Sequence, residues 1–172
     1  MTTAFVVDVN VAIVANGRAE QADGACVSAC LDVLEEIYKS GIVVLDDGMR
    51  ILTKYMDHLS MAGQPGAGDF FMKWVWENQA VVSRCERVHL ECKNGDSDNF
   101  VLFPQDLDLC DFDKSDRKYV AAALASRRNP EVLNAVDTDW WKHKDALARN
   151  GIKCRFLCPQ CMVLVHCLIS FR

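Results

Sequence analysis

Four aspartates stand where a sheet protein could gather carboxylates around a metal ion. Asp8 follows the apolar run Ala4–Val7, Asp116 opens an alanine-rich segment, and Asp137 and Asp139 follow the apolar run VLNAV. In open parallel sheets the carboxyl ends of the strands face one crevice, so residues distant in sequence can converge there. Carboxylates held together repel unless cations lie between them, and Mg2+ or Mn2+ are the expected cofactors because both prefer oxygen ligands. Such ions activate water and neutralise charge on a phosphoryl group during in-line attack.

Each of these aspartates also has a simpler explanation when it is taken alone. Asp116 in particular has the type and position of a helix N-cap or a turn former. The joint placement of the four residues is what favours a site, with Asp8, Asp116 and Asp137 as its catalytic residues and all four as metal ligands.

The segments between these aspartates alternate between strand patterns and helix patterns. Short buried runs indicate strands, and apolar residues at three- and four-residue spacing indicate helices. The sequence therefore predicts an α/β fold: a three-layer sandwich whose mostly parallel central sheet, of four or five strands, is flanked by helices. Residues 80–113 have only weak periodicity, and we place no chemistry there. Within them, 81–92 could form one or two strands, 94–99 is a turn and 100–113 is a connection. The predicted strands are 4–7, 42–45, 132–136 and 152–157; the predicted helices are 26–38, 49–59, 69–78, 116–126 and 140–149.

At these residues the chain resembles the PIN-domain nuclease family. VVDVN resembles the opening strand of the family, with Asp8 and, two positions on, Asn10. SDRKYVAAALA is similar to the helix headed by a metal-binding aspartate, here Asp116. VLNAVDTDWW is similar to the strand that ends in an Asp-x-Asp pair, here Asp137 and Asp139, and GIKCRFLCP resembles the last strand.

The resemblance implies a domain organisation and a function. It covers residues 1–159 as a PIN-like nuclease domain and leaves 160–172 as an apolar C-terminal tail, which could be an extra strand, an oligomer contact or an added segment. It implies a metal-dependent endoribonuclease, a hydrolase often found as the toxin of a toxin–antitoxin pair. The expected partners are an RNA substrate and an antitoxin or another protein, and a homodimer stays open.

One residue departs from the family pattern. PIN proteins usually carry a glutamate on the helix after the second strand, often as Glu-Tyr, whereas this chain has Lys54 before Tyr55. A lysine there would weaken metal binding. The substitution could be natural degeneration, could be compensated by Asp57 or Asp46, or could be an engineered change that silences a toxic enzyme. The alternative function is therefore a catalytically impaired PIN-like module that binds RNA or a protein partner.

The charge of the chain is unevenly distributed. The net charge of −5 excludes a protein that coats nucleic acid through charge alone. Residues 114–155 nevertheless carry ten Lys or Arg against five Asp or Glu, whereas residues 1–113 carry eight against nineteen. The basic stretch could form solvated helix faces, or it could hold an RNA backbone. The candidates for RNA contacts are Arg117, Lys118, Lys142 and Lys144.

Nine cysteines, an odd number, occur in the chain. The N-terminus MTTAFVVDVN has no export signal, and no stretch reaches the roughly 18 apolar residues of a membrane span. We therefore expect a cytoplasmic protein whose thiols are mainly reduced. A structural zinc site is a rival use of the C-terminal cluster, but the sequence shows no second CxxC to complete it, which favours free thiols. That cluster consists of Cys154, Cys158, Cys161, His166 and Cys167.

Overall fold

The structure, a computed structural model, describes residues 2–163 as an α/β fold with a parallel sheet between layers of helices. The strands are β1 (Ala4–Val7), β2 (Ile42–Asp46), β3 (Cys85–Val88), β4 (Cys92–Lys93), β5 (Asp96–Phe100), β6 (Glu131–Asn134) and β7 (Lys153–Phe156). The helices are α1 (Val9–Ala15), α2 (Gly24–Ser40), α3 (Arg50–His58), α4 (Ala67–Asn78), α5 (Arg117–Ala125), α6 (Thr138–Lys142) and α7 (Lys144–Arg149).

The main sheet has five strands in the order β3-β2-β1-β6-β7, and every neighbouring pair is parallel. Strand β1 lies at the centre, where Ala4 pairs with Ile42 and Val7 with Leu133. All residues of β1 and β2 are buried, as expected of apolar strands covered on both faces. The predicted α/β class is confirmed, and the carboxyl ends of all five strands lie along one edge of the sheet.

Helix α2 shows why the amphipathic segments pack as they do. Its buried residues recur at three- and four-residue spacing, which directs one stripe of the helix toward the core. Asp23 caps its first turn, because its Oδ1 accepts a hydrogen bond from the backbone N–H of Cys26 at 2.8 Å. In helix α5 the alanines allow close packing against the sheet.

Helix α1 was not predicted from the sequence. It begins directly after Asp8, whose Oδ1 accepts from the Asn10 N–H at 3.1 Å as an N-cap. Five of its seven residues are buried, so the helix has almost no polar face to reveal its period. It packs closely on α4, where a Cβ added to Gly68 would overlap the Ala12 carbonyl oxygen.

Two other regions go beyond or differ from the sequence prediction. The segment 81–92, which could form one or two strands, supplies the edge strand β3 and the start of β4. Strand β5 lies where a turn was expected over 94–99, and it forms a separate antiparallel hairpin with β4. The helix predicted over 140–149 is two short helices, α6 and α7, that meet at His143. The His143 ring is buried and lies within hydrogen-bond distance of the Asp139 carbonyl and the Asp111 carboxylate, which holds the chain at this break.

The described cysteines are mostly free thiols, with one exception. Cys26 and Cys158 form a disulfide, which is the one exception among the described residues to the expected reduced thiols. The other six described cysteines are free. Most of the predicted apolar tail, including His166 and Cys167, lies outside the described residues. Across residues 2–163, no helix has the length and apolar character needed to cross a bilayer.

Candidate metal centre

The carboxylates of Asp8, Asp116 and Asp137 converge at the carboxyl edge of the sheet. One oxygen from each lies within 4.8 Å of the others. Asp8 is the N-cap of α1 directly after β1, Asp137 is the N-cap of α6 three residues after β6 ends, and Asp116 immediately precedes α5. The parallel sheet thus brings together three of the four aspartates that the sequence placed at a metal site.

Two asparagines connect this carboxylate group to the ends of the strands. The Asn134 side-chain N–H donates to Asp8 Oδ2 at 3.2 Å, and its Oδ1 accepts from the Asp137 backbone N–H at 3.1 Å. Asn10 Oδ1 accepts from the backbone N–H of Ala135 at 2.8 Å, which ties α1 to the chain after β6. Sequence reasoning missed Asn134, although a lone amide in the apolar run VLNAV was an available signal.

Burial and mutual repulsion dominate the electrostatics of the group. Burial raises the pKa of Asp8 well above its ordinary value, the charges of Asp116 and Asp137 raise it further, and the Asn10 N–H and Lys118 oppose the rise. The pKa of Asp116 rises to about 6, first because of burial and then because of Asp137. The pKa of Asp137 is also raised, chiefly by burial. Three carboxylates in this state lack sufficient compensating positive charge.

The geometry and the donor atoms fit a hard divalent cation. Two oxygens bound to one ion at about 2.0–2.6 Å can be at most about 5.2 Å apart, so a spread of 4.8 Å is compatible with one shared ion. Three carboxylate oxygens favour Mg2+ or Mn2+ over metals that prefer sulfur or imidazole. Nearby, the buried Tyr119 hydroxyl and the Asn10 side-chain amide nitrogen have no hydrogen-bond partner among the residues that the structure describes.

Two lysines bring positive charge to the same place. Lys118 is buried, donates from Nζ to the Ser115 carbonyl, and lowers the pKa of both Asp8 and Asp116. Its own pKa is lowered, chiefly by burial and partly by the charge of Lys54. Lys54 on α3 is therefore close enough to Lys118 to lower its pKa.

Other acidic side chains proposed for the centre point elsewhere. Asp139 accepts from the Asp113 N–H at 2.9 Å and lies 3.2 Å from His143 Nδ1, so it stands outside the three-carboxylate group. Asp57 is exposed on α3. Asp46 is buried but accepts from the backbone N–H groups at the start of α3, with Ile51 at 2.8 Å. The predicted set of four ligands is therefore corrected by leaving out Asp139. Neither Asp46 nor Asp57 joins the group to replace the missing acid.

The predicted RNA-contacting residues divide into two kinds. Arg117 is buried, donates to the carbonyl oxygens of Cys110 and Phe112, and stacks its guanidinium 4.5 Å from the Phe103 ring centroid. This interior position is inconsistent with the predicted RNA contact, because the guanidinium is committed to the fold. Lys118 is buried beside the carboxylates and does not project outward.

Lys142 and Lys144 remain at the surface. Lys142 forms an ion pair with Asp111, and the Lys144 ammonium lies 5.1 Å from the Trp141 ring centroid. Both residues lie on the short helices that follow Asp137 in the chain.

No protein-family model, curated protein or solved structure matches the chain. The functional argument therefore depends on the motifs quoted above and on the geometry of the centre.

Proposed function

We propose that the protein is a Mg2+- or Mn2+-dependent endoribonuclease of the PIN type. The observation that supports this function is the convergence of three buried carboxylates with raised pKa values at the carboxyl edge of a parallel sheet. A toxin of a toxin–antitoxin pair is the biological role that the motif resemblance implies.

In this proposal the chain's own residues hold and orient the reacting groups. Asp8, Asp116 and Asp137 bind the ion, and Asn134 fixes the relative position of two of them. The bound ion supplies Lewis-acid polarisation of the phosphoryl group and lowers the pKa of the attacking water. Asp137 is the least buried of the three, so substrate approaches from its side. In this proposal Lys142 and Lys144, on the helices that follow Asp137, contact the phosphate backbone.

Cleavage of labelled single-stranded RNA in Mn2+ tests the proposal, with single-stranded DNA of the same sequence as a comparison. We expect internal cleavage of RNA by the wild type and at least about a hundredfold loss in Asp8→Asn, because one ligand of the ion loses its charge. The matched control is Asp23→Asn, which removes the same charge from another helix N-cap, at α2. Equal loss in both variants, or cleavage that persists in EDTA, would contradict the proposal.

The impaired binding module is the second candidate, and Lys54 and Lys118 favour it. Lys118 offsets part of the carboxylate charge that would attract a metal ion, and the charge of Lys54 acts on Lys118. Under this alternative, the wild type would retard labelled RNA in a native gel or capture a protein partner, but it would leave the RNA intact in Mn2+.

A further inference from the structure

Three buried cysteines from distant parts of the chain lie together, away from the acidic motifs. Cys26 and Cys30 belong to α2, and Cys158 follows β7. All three side chains are fully buried, and their sulfur atoms lie within 4.8 Å of one another. Cys26 and Cys158 are joined as a disulfide across a sequence separation of 132 residues.

A disulfide needs only two cysteines, and Cys30 brings a third thiol to this group. Cys30 lies four residues after Cys26, on the same face of α2, and its sulfur completes the group. Cys158 belongs to the CPQC motif, whose second cysteine, Cys161, is also buried. The two pairs are spaced as C-x3-C and C-x2-C, which are both ligand spacings of structural zinc sites. The fold thus supplies the second cysteine pair that the C-terminal sequence lacks.

We propose that the reduced chain binds one structural Zn2+ through the thiolates of Cys26, Cys30 and Cys158, with Cys161 as the fourth ligand. Cys161 lies in helical residues 159–163, and its backbone N–H donates to the Cys158 carbonyl at 3.1 Å. Its side chain must turn toward the other three. In a tetrahedral Zn2+ site with Zn–S distances near 2.3 Å, neighbouring sulfurs are about 3.8 Å apart, a spread that the three-sulfur group accommodates once the disulfide is reduced.

The chemistry of this exchange balances with a thiol reductant of the glutathione class. Reduction breaks the bond between the Cys26 and Cys158 sulfurs, takes up two electrons and two protons, and leaves the reductant as a disulfide. Zinc binding then forms four Zn–S bonds and releases four thiol protons to solvent. Cys26 lies in the first turn of α2, where the positive end of the helix dipole favours a thiolate.

The site would fasten the chain after β7 to α2, which is the same connection that the disulfide makes. The proposed zinc site differs from the one considered in the C-terminal cluster, where Cys154 and residues beyond 163 were candidate ligands. It is independent of the proposed nuclease, because neither the ligands nor their test involves RNA.

Metal analysis of the full chain tests the proposal. The protein, purified anaerobically with a phosphine reductant, is measured by plasma mass spectrometry in an Asp8→Asn background, so that the acidic centre takes up no zinc. We expect one zinc per chain, lost at least tenfold in Cys30→Ser and in Cys161→Ser. Cys85→Ser, which changes a buried free cysteine on β3, should keep its zinc.

Cys30 makes the test decisive, because a Cys26–Cys158 disulfide needs no third thiol. Zinc retained in Cys30→Ser, or zinc-free protein whose Cys26 and Cys158 resist alkylation in the untreated cell extract, would overturn the proposal. If a variant fails to fold, the alternative test is to count the reactive thiols of the wild type. Bound zinc should protect four cysteines from alkylation until a chelator is added, and protection of none would overturn the proposal equally.

Discussion

Burial and repulsion make the carboxylates of the candidate centre unusually ready to hold protons. The pKa of Asp116, about 6, lies above the ordinary value of 3.8 expected in the unfolded chain. The folded, metal-free protein therefore binds more protons than the unfolded chain between these values, so this residue's contribution to stability is fully present below pH 4. That contribution is lost as the pH rises through 6.

Replacing Asp116 removes this penalty. We expect Asp116→Asn to raise the free energy of unfolding of the metal-free protein at pH 7.5 by about 1–3 kcal/mol, since a shift of about two pKa units corresponds to at most about 3 kcal/mol. Urea unfolding at pH 5 and pH 7.5 in EDTA measures it. The gain should shrink at pH 5, and Asp23→Asn should show no such pH dependence. A variant less stable than wild type at pH 7.5 would contradict the assigned repulsion.

We predict that Lys54 limits the metal affinity of the carboxylate group, because its charge acts beside Lys118. Lys54→Glu deletes a repulsive charge and adds an attractive one, so Mn2+ should bind at least about tenfold more tightly, equivalent to 1.4 kcal/mol. The Mn2+ affinity of Lys54→Gln should fall between that of the wild type and that of Lys54→Glu, because this change only deletes the repulsion. RNA cleavage should rise in parallel.

Isothermal titration calorimetry with Mn2+ measures the series. Lys39→Glu, at the exposed end of α2, makes the same change in net charge and should leave affinity unchanged. Equal binding by Lys54→Glu and wild type, with binding abolished in Asp8→Asn, would show that Lys54 does not act on the centre.

The sequence predicted that Asp8, Asp116 and Asp137 would converge, but it did not predict the direction in which every side chain points. Asp8, Asp116 and Asp137 were recognisable because strand ends and helix starts meet at one edge of a parallel sheet. Asp139 is only two residues from Asp137, yet the first turn of α6 carries it toward His143. Arg117 looked like a surface cation, but a stacked aromatic ring and carbonyl acceptors from residues 103–112 hold it inside. These partners are set by tertiary contacts that spacing alone does not encode.

At the scale of elements, α1 and α4 approach each other closely at Gly68. Gly68 lets the two helices touch, and its backbone N–H donates to Asn16 Oδ1 at 2.8 Å, directly after α1. Since α1 begins at Asp8, this contact also sets how the first carboxylate is presented at the sheet edge.

A methyl group at Gly68 should separate these helices. We expect Gly68→Ala to lower the free energy of unfolding by about 1–3 kcal/mol, because the added Cβ overlaps the Ala12 carbonyl and backbone cannot give way easily. Gly24→Ala is the matched control, since a Cβ there meets nothing within 4 Å and alanine suits the start of a helix. Urea unfolding compares the two, and a Gly68→Ala variant as stable as Gly24→Ala would refute the close packing.

Elements with a clear period were predictable, and those without one were not. The strand runs AFVV and IVVL and the apolar stripe of α2 are recognisable in the sequence. Helix α1 is buried on nearly every side, so it has no polar face that would reveal its period. Strand β3 lies in the segment 81–92, where one or two strands were possible. Because CERV alternates poorly, its bounds and its place in the sheet are fixed only by pairing with β2.

At the scale of the whole molecule, metal binding and folding are linked. An ion that binds the folded state alone stabilises it by about 2.7 kcal/mol at a hundred times its dissociation constant. We expect Mn2+ at that concentration to raise the Tm by about 5–10 °C at pH 7.5. The rise should diminish below pH 6, where protons compete for the raised carboxyls, and should vanish in Asp8→Asn. Differential scanning fluorimetry measures it, and a rise that is equal at pH 5 and pH 7.5 would contradict the assignment.

The central position of β1 also has a consequence for synthesis on the ribosome. Strand β1 pairs with β2, which follows soon after it in the chain, and with β6, which is made only at residues 131–134. Asp8 consequently emerges at an unfinished edge of the nascent sheet, and Asp137 arrives only after β6. A nascent chain that ends before residue 137 carries an incomplete carboxylate group. Under the proposed function, RNA cleavage would therefore be withheld until residue 137 has been made.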